Sequence, residues 1–244
     1  MDLVEIGDGV RRHPWELARY TALGRIIRDV IHDGVHFEVL DVGSGDGYFA
    51  GRFVDDFPRI GRFVAYDPML GEEDLRVMNH EKLEFVNRVP ERMFDLVLLL
   101  DVLEHIDDDV KFLEDTILKV VKPSSFVLIS VPSYQSLFSH HDTFLGHKRR
   151  YSPSQLNEVA GVHLQVVDFG TMFFLPLVAR YIQTRLSRSN SSDGTAVGGW
   201  KRGPIITALI EKILNCDIAI AQTLSRIKIR IPGLSSWVLC QRRP

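Results

Sequence analysis

The stretch that decides the fold is VLDVGSGDGYFAGRF, residues 39–53, which joins an apolar run to a helical pattern through three glycines. Gly43, Gly45 and Gly47 follow the spacing G-x-G-x-G. Glycine permits tight turns that other residues resist, and it lets a ligand approach the backbone closely. A helix that begins near Asp46 would offer its N-terminal amides to polar ligand groups. The stretch therefore predicts a strand, a tight turn and a helix around a ligand.

Strand and helix patterns alternate from this region as far as residue 131. The apolar runs that predict strands are FEVLDV, RFVAYD, KLEFV, FDLVLLLDVL and SFVLISVP. The fourth run is apolar on both faces, as a central parallel strand is. The alternation predicts an open, mostly parallel α/β sheet flanked by helices.

Asp67 ends the second predicted strand, twenty residues after Gly47. Ligands of open parallel sheets bind beyond the carboxyl ends of the strands, so its carboxylate is placed to accept hydrogen bonds from a ribose diol. The dinucleotide fingerprint is G-x-G-x-x-G, and here the third glycine comes one place early. This spacing disfavours a nicotinamide dinucleotide without excluding it.

Composition narrows the function class. The net charge of −3 among 244 residues predicts no nucleic-acid partner. The only two cysteines, Cys216 and Cys240, form no C-x-x-C pair, so we expect neither a zinc site nor a disulfide framework. So few cysteines fit a reducing compartment, and we expect a cytoplasmic location. The first residues lack the apolar core of a signal peptide. No apolar run reaches the roughly 20 residues of a membrane span.

Three segments resemble the nucleotide-binding signatures of class I S-adenosylmethionine-dependent methyltransferases. They are EVLDVGSGDGYFA, VAYDPM and FDLVLLLDVLEHIDDDVKFLEDTILKVVKPSSFVLISVP. The likeness covers roughly residues 36–160 and is to the small-molecule branch that includes ubiquinone-biosynthesis O-methyltransferases. It implies a Rossmann-like sheet whose last strand is antiparallel, and SSWVLCQRR stands where that strand belongs.

The resemblance also implies an organisation of the chain. We expect a single methyltransferase domain over residues 1–244. Its parts would be an N-terminal helical cover over 1–35, a cofactor-binding core over 36–170, a helical insertion over 171–230 and a closing strand over 231–244.

S-adenosylmethionine is the cofactor that the resemblance implies. The glycine loop would hold its methionine end and Asp67 its ribose. Asn87 is the nearest substitute for the acid that usually holds the adenine amine, and Tyr48 either covers the sulfonium charge or packs in the core. The residues implied to bind the cofactor are, in chain order, Asp41, Gly43, Ser44, Gly45, Gly47, Tyr48, Asp67, Pro68, Met69, Asn87, Asp101 and Val102.

Candidate catalytic residues follow the fifth predicted strand, in SYQSLFSHHDTFLGHKRRYSPSQL, residues 133–156. A neutral imidazole can take the proton of a hydroxyl acceptor, and His141 and His147 are the candidates. We favour His141, because Asp142 could hold it inward. The basic run Lys148–Arg150 either grips an anionic acceptor or caps the following helix.

Asp101, Glu104 and His105 fall within one turn after the fourth strand. These residues are only a partial ligand set for a divalent metal. We therefore expect no metal here, and expect Glu104 and His105 to orient the cofactor loop through hydrogen bonds.

The functions that stay open belong to three classes. The favoured one is methyl transfer from S-adenosylmethionine to a small acceptor, an oxygen of an amphipathic or anionic metabolite. An NAD(P)-dependent oxidoreductase would need a catalytic set such as Tyr-x-x-x-Lys, and Tyr151 is followed four places on by Gln155. A non-catalytic S-adenosylmethionine-binding scaffold is the third. For residues 171–230 the alternatives are additional core, a lid, a homodimer face and peripheral membrane contact.

Overall fold

The computed structural model describes residues 12–31, 37–71, 81–187 and 202–244. Seven strands form one sheet in the order β3-β2-β1-β4-β5-β7-β6. The strands are β1 (Phe37–Val42), β2 (Ile60–Tyr66), β3 (Leu83–Val86), β4 (Phe94–Leu100), β5 (Val121–Pro132), β6 (Gln165–Met172) and β7 (Ser235–Gln241). β7 runs antiparallel to both β5 and β6, and the pairs among β1 to β5 are parallel. The predicted sheet class and the antiparallel last strand are confirmed.

Helices cover both faces of the sheet. They are α1 (Pro14–Arg28), α2 (Tyr48–Asp56), α3 (Asp109–Phe112), α4 (His140–Phe144), α5 (Pro153–Gly161), α6 (Phe174–Ser187) and α7 (Pro204–Arg226). The sequence pattern predicts one helix over residues 107–121. The structure instead follows α3 with a π-helical turn, Leu113–Ile117, and a last turn, Leu118–Val120, after which β5 begins.

Successive side chains of a strand point to opposite faces of the sheet, so the strands contribute to two apolar layers, one on each face. One layer joins Val39 and Leu96 of the sheet to Ile27 of α1, with α2 and α7 on the same side. The other joins Leu40 and Val97 to α3 and α5. Burial on both faces explains why these strands are almost continuously apolar.

α1 falls within the predicted cover over 1–35, and α6 and α7 fall within the predicted insertion over 171–230, whose first two residues end β6. Residues 1–11 and 32–36 lie outside the described residues, as do 72–80 and 188–201. α7 packs on α1, where Gln222 Nε2 donates to Ala22 O at 3.2 Å. α7 buries Leu214 and Ile218 but leaves Leu209 exposed, so core packing accounts for only one of its faces. Among the described helices, none is long and apolar enough to cross a bilayer.

Candidate functional site

The glycine loop lies at the point where the strand order reverses, between β1 and β4. Gly43, Gly45 and Gly47 have φ values of 74°, 55° and 70°, in the left-handed region that glycine adopts at little cost. The amides of Gly43 and Ser44 donate to Tyr66 O at 2.8 and 3.0 Å, which ties the loop to the end of β2. Open sheets of this kind bind ligands at such a switch point.

Two of the glycines also leave no room for a side chain. A Cβ on Gly43 would stand 2.8 Å from Val102 Cγ2. A Cβ on Gly47 would stand 2.4 Å from Phe85 Cε1. Val102 therefore packs beneath the loop, next to Asp101, the residue that follows β4.

Asp67 organises the loop from the end of β2. One of its oxygens accepts the Gly45 amide at 2.9 Å, and the other accepts the Met69 amide at 2.9 Å. Each carboxylate oxygen has two lone pairs, so both can still accept a ligand hydroxyl. Pro68 and Met69 are exposed at this edge, and Asn87 Nδ2 reaches Leu70 O at 3.4 Å. The predicted ribose and adenine residues thus share one edge of the sheet.

A cavity opens between the glycine loop and α1. Its walls are Glu16, Arg19, Tyr20, Asp41, Gly43, Ser44, Tyr48, Phe49 and Leu100. Asp41 Oδ1 and Ser44 Oγ are buried in it without a hydrogen-bond partner among the described residues. Buried polar atoms are almost always paired in folded proteins. These two atoms could therefore hold polar groups of a ligand in the cavity.

Burial raises the pKa of Asp41 to about 7, against an ordinary value of 3.8. The Arg19 guanidinium opposes this rise in pKa, and the negative charge of Asp67 adds to it. A cationic ligand group beside Asp41 would favour the ionised carboxylate. The ammonium of a bound amino acid is one such group.

α1 contributes side chains that the sequence pattern did not single out. Arg19 Nη1 pairs with Asp101 Oδ2 at 2.6 Å, and Arg19 Nη2 donates to Ser130 Oγ at 2.8 Å. Asp101 has a φ of 60°, a strained conformation of the kind often found at functional sites. Glu16, Arg19 and Tyr20 are spaced i, i+3, i+4, so they share one helix face. This polar face was the available signal, but only the fold shows that it meets the glycine loop.

Tyr48 has a mixed environment. It is half-buried at the start of α2 and lines the cavity. The guanidinium of Arg12 lies 4.3 Å from its ring centroid, and Arg52 donates to its hydroxyl at 3.0 Å. Arg12 also pairs with Asp46. Tyr48 is thus part of a cation-rich rim and not a fully buried core residue.

The segment after β5 is organised by Asp142, which is fully buried in α4. Its Oδ1 contacts His147 Nδ1 at 3.1 Å and accepts Arg150 Nε at 2.6 Å, while Oδ2 accepts the Ser139 amide at 2.9 Å. Burial alone would raise the pKa of Asp142, but hydrogen bonds from His147 and Arg150 outweigh it and hold the pKa well below its ordinary value. Asp142 thus bonds directly to His147, and its role in holding His141 inward stays a prediction.

The basic run Lys148–Arg150 is occupied by ion pairs within the chain. Each side chain pairs with an acid of the chain: Lys148 with Asp107, Arg149 with Asp109 and Arg150 with Asp142. The following helix is capped by Ser152 instead, which accepts the Gln155 amide at 3.2 Å. These cations fix the segment in place, so they give no support to an anionic acceptor.

Comparisons with known proteins place this geometry in a family. A sequence model described as a methyltransferase domain matches residues 16–171. No curated protein sequence matches the chain.

Solved structures share the fold at low sequence identity. A SAM-dependent methyltransferase from Archaeoglobus fulgidus is 15% identical with a TM-score of 0.51, covering 92% of this chain and 94% of that one. The plantazolicin methyltransferase BpumL, solved with S-adenosylhomocysteine and a triazolic desmethylPZN analog, is 12% identical with a TM-score of 0.54, covering 95% of this chain and 86% of that one. The [4+2]-cyclase SpnF is 13% identical with a TM-score of 0.56 (97% and 84%). The family match extends over more than half of the chain, so this protein belongs to the methyltransferase domain family and is an S-adenosylmethionine-dependent methyltransferase.

Proposed function

We propose that the protein methylates an oxygen of a small amphipathic metabolite. What supports a small acceptor is the enclosure of the site. α1 closes over the glycine loop on one side, and the segment after β5 folds back over the end of β4 on the other. The Lys148 amide donates to Glu104 O at 2.8 Å, and Tyr151 Oη donates to Leu103 O at 3.1 Å. An enclosed site admits small molecules more readily than a folded macromolecule.

We assign the cofactor contacts as the sequence implied, with one addition. The glycine loop with Asp41 and Ser44 would hold the methionine end, and Asp67 the ribose. Arg19, the addition, lies where the cofactor's carboxylate could replace Asp101 as its partner. Bound S-adenosylmethionine would supply a methyl group on a positively charged sulfur. The carboxylates of Asp41 and Asp101 favour that positive charge by electrostatic attraction.

His141 remains our candidate for the proton acceptor, on a different ground. Its pKa is lowered, chiefly because burial disfavours the charged imidazolium, although Asp142 opposes this. The imidazole is therefore neutral near pH 7 and able to accept a proton. Holding the acceptor oxygen in line with the methyl group lowers most of the remaining barrier. His147, the other candidate, is paired with Asp142 and is therefore the less favoured proton acceptor.

Turnover with matched variants tests this assignment. S-adenosylhomocysteine formation would be followed with S-adenosylmethionine and a panel of phenols and hydroxy acids. We expect His141→Ala to lower kcat about a hundred-fold on the best acceptor and to leave cofactor affinity unchanged. His140→Ala is the control, since His140 is the exposed neighbour in α4.

Two outcomes would contradict the proposal. Equal kcat in the His141→Ala and His140→Ala variants would remove His141 as the base. Tight cofactor binding without methyl transfer to any small molecule would favour the non-catalytic scaffold.

A further inference from the structure

Glu104 carries a buried carboxyl group with no hydrogen-bond partner among the described residues. It belongs to the 3-10 turn Leu103–His105 after β4 and is 0% exposed. Neither of its carboxylate oxygens is hydrogen-bonded within the described part of the chain. Burial, and next the charge of Asp101, raise its pKa well above the ordinary value. A buried group of this kind is costly, so its presence calls for a compensating partner.

Two imidazoles converge on this carboxyl group. Ligand atoms of Glu104, His105 and His147 all lie within 4.8 Å of one another. The rings of His105 and His147 meet edge to face, with their centroids 4.7 Å apart. One carboxylate and two imidazoles are a ligand set typical of zinc and its neighbours among the divalent transition metals. We propose that Glu104, His105 and His147 bind a divalent transition-metal ion such as Zn²⁺.

The backbone brings His147 to the other two residues. Gly146 has a φ of 77°, which turns the chain sharply before His147. On the other side of His147, the Lys148 amide donates to Glu104 O at 2.8 Å. The histidine from the segment after β5 is thus held directly against the turn after β4.

An outer acid orients His147 as metal-binding histidines require. Asp142 Oδ1 bonds to His147 Nδ1 at 3.1 Å, so Nε2 is the ring nitrogen left for a metal. Metal-ligating histidines almost always direct their second nitrogen to a carboxylate, a carbonyl or water. Arg150 donates to the same Asp142 oxygen at 2.6 Å and keeps the acid in place. Asp142 and Arg150 therefore supply the outer hydrogen bonds that a metal-binding His147 requires.

The distances are within reach of side-chain adjustment. Ligands about 2.0–2.2 Å from a tetrahedral ion stand about 3.4 Å apart, so the three groups need to close by at most about 1.4 Å. The proposal departs from the sequence, which predicts no metal here, and Asp101, the third residue of that partial set, is paired with Arg19 at 2.6 Å. Three protein ligands leave a fourth position open, as sites that bind water or substrate do.

Metal titration of the whole chain tests the proposal without S-adenosylmethionine. The protein would be freed of metal with a chelator, and Zn²⁺ binding measured by calorimetry, with Co²⁺ as a visible-absorption probe. We expect one equivalent of Zn²⁺ and a tetrahedral Co²⁺ spectrum. Glu104→Gln and His147→Gln should each weaken Zn²⁺ binding at least a hundred-fold, and Asp142→Asn about ten- to a hundred-fold. His140→Gln, at an exposed histidine of the same segment, should bind as the wild type does.

The proposal fails if folded wild-type protein binds no Zn²⁺, or if Glu104→Gln binds it with wild-type affinity. An infrared carbonyl band of a neutral carboxylic acid that persists with Zn²⁺ present and vanishes in Glu104→Gln would also overturn it. His147→Gln provides a second test if Glu104→Gln does not fold. Because no step uses the cofactor, failure here is distinct from failure of the turnover experiment.

Discussion

Buried carboxyl groups at the carboxyl ends of β1 and β4 set the electrostatics of the site at the residue scale. Asp41, within β1, and Glu104, after β4, are both almost fully buried. Burial raises the pKa of each of them. Each acid therefore lowers the stability of the ligand-free protein when it ionises. A cation placed beside it would recover that stability.

Replacing Asp41 should change how stability depends on pH. Well below its ordinary pKa of 3.8, the Asp41 carboxyl is protonated in both the folded and the unfolded protein, so it does not change the free energy of unfolding. As pH rises towards about 7, the unfolded chain ionises first and the free energy of unfolding falls. The Asp41→Asn side chain cannot ionise. The free energy of unfolding of this variant relative to the wild type, measured with urea, should therefore rise from pH 4 to 7, by up to about 4 kcal/mol, and then level off. A difference independent of pH would contradict the raised pKa.

Replacing Asp67 should weaken cofactor binding. Its carboxylate holds the amides of Gly45 and Met69, and we expect it to accept ribose hydroxyls as well. Hydrogen bonds to a charged group contribute about 1.5–3 kcal/mol. Calorimetry on Asp67→Ala should thus show S-adenosylhomocysteine affinity about ten- to a hundred-fold lower. Asp115→Ala, at an exposed acid away from the loop, is the control. Unchanged affinity in a folded Asp67→Ala would remove the assignment.

At the scale of the element, alanine substitution of two glycines should change stability in opposite directions. Gly47 immediately precedes α2, and Gly51 lies within it. Gly47 has a φ of 70° and would place a Cβ 2.4 Å from the Phe85 ring, so Gly47→Ala should cost about 1–3 kcal/mol. Gly51 lies inside α2 with open space where a methyl group would stand, so Gly51→Ala should stabilise by about 0.5–1 kcal/mol. Urea unfolding measures both changes. A loss of stability at Gly51 equal to that at Gly47 would contradict the steric argument.

The start of α6 depends on an acid from α7. Asp217 is buried, and both of its carboxylate oxygens lie 3.4 Å from the amide nitrogen of Leu175. Leu175 is in the first turn of α6, where backbone amides have no acceptor within the helix. Asp217→Ala should cost about 0.5–2 kcal/mol, as loss of a helix cap does. Amide hydrogen exchange should accelerate in residues 174–182 and stay unchanged in β1. Uniform exchange across both segments would indicate general destabilisation instead.

Most elements could be predicted from sequence because their signals are local. The run FEVLDV became β1 without a change of bounds, since a strand buried on both faces is apolar throughout. α4 was missed because five residues are too few to show a helical period. The π-helical turn after α3 likewise leaves the apolar spacing almost unchanged.

The site was only partly predictable, because side-chain pairing depends on the tertiary fold. The glycine loop and Asp67 carry a spacing signal, and the structure brings them together. Nothing in the sequence links Arg19 to Asp101, since α1 and the end of β4 meet only in the folded chain. The pairing of Asp142 with His147 rather than His141 depends on the turn at Gly146.

At the scale of the whole molecule, the sheet order concentrates the chemistry at one edge. The strand order reverses between β1 and β4, so Asp41, Gly43 and Asp101 meet there although they are far apart in sequence. α1 covers this point, and the segment after β5 covers the turn that follows β4. The role of the insertion over 171–230 as lid, dimer face or membrane contact stays a prediction.

Equilibrium titration by calorimetry, with S-adenosylhomocysteine and NAD⁺ as separate ligands, tests the central claim most directly. In the cavity between α1 and the glycine loop, Asp41 Oδ1 and Ser44 Oγ have no hydrogen-bond partner among the described residues, which fits the amino-acid end of S-adenosylhomocysteine. The G-x-G-x-G spacing disfavours NAD⁺. We predict one S-adenosylhomocysteine site of micromolar affinity, at least about 3 kcal/mol stronger than binding of NAD⁺. Binding of NAD⁺ at equal or higher affinity, or no binding of S-adenosylhomocysteine to the folded protein, would contradict the account.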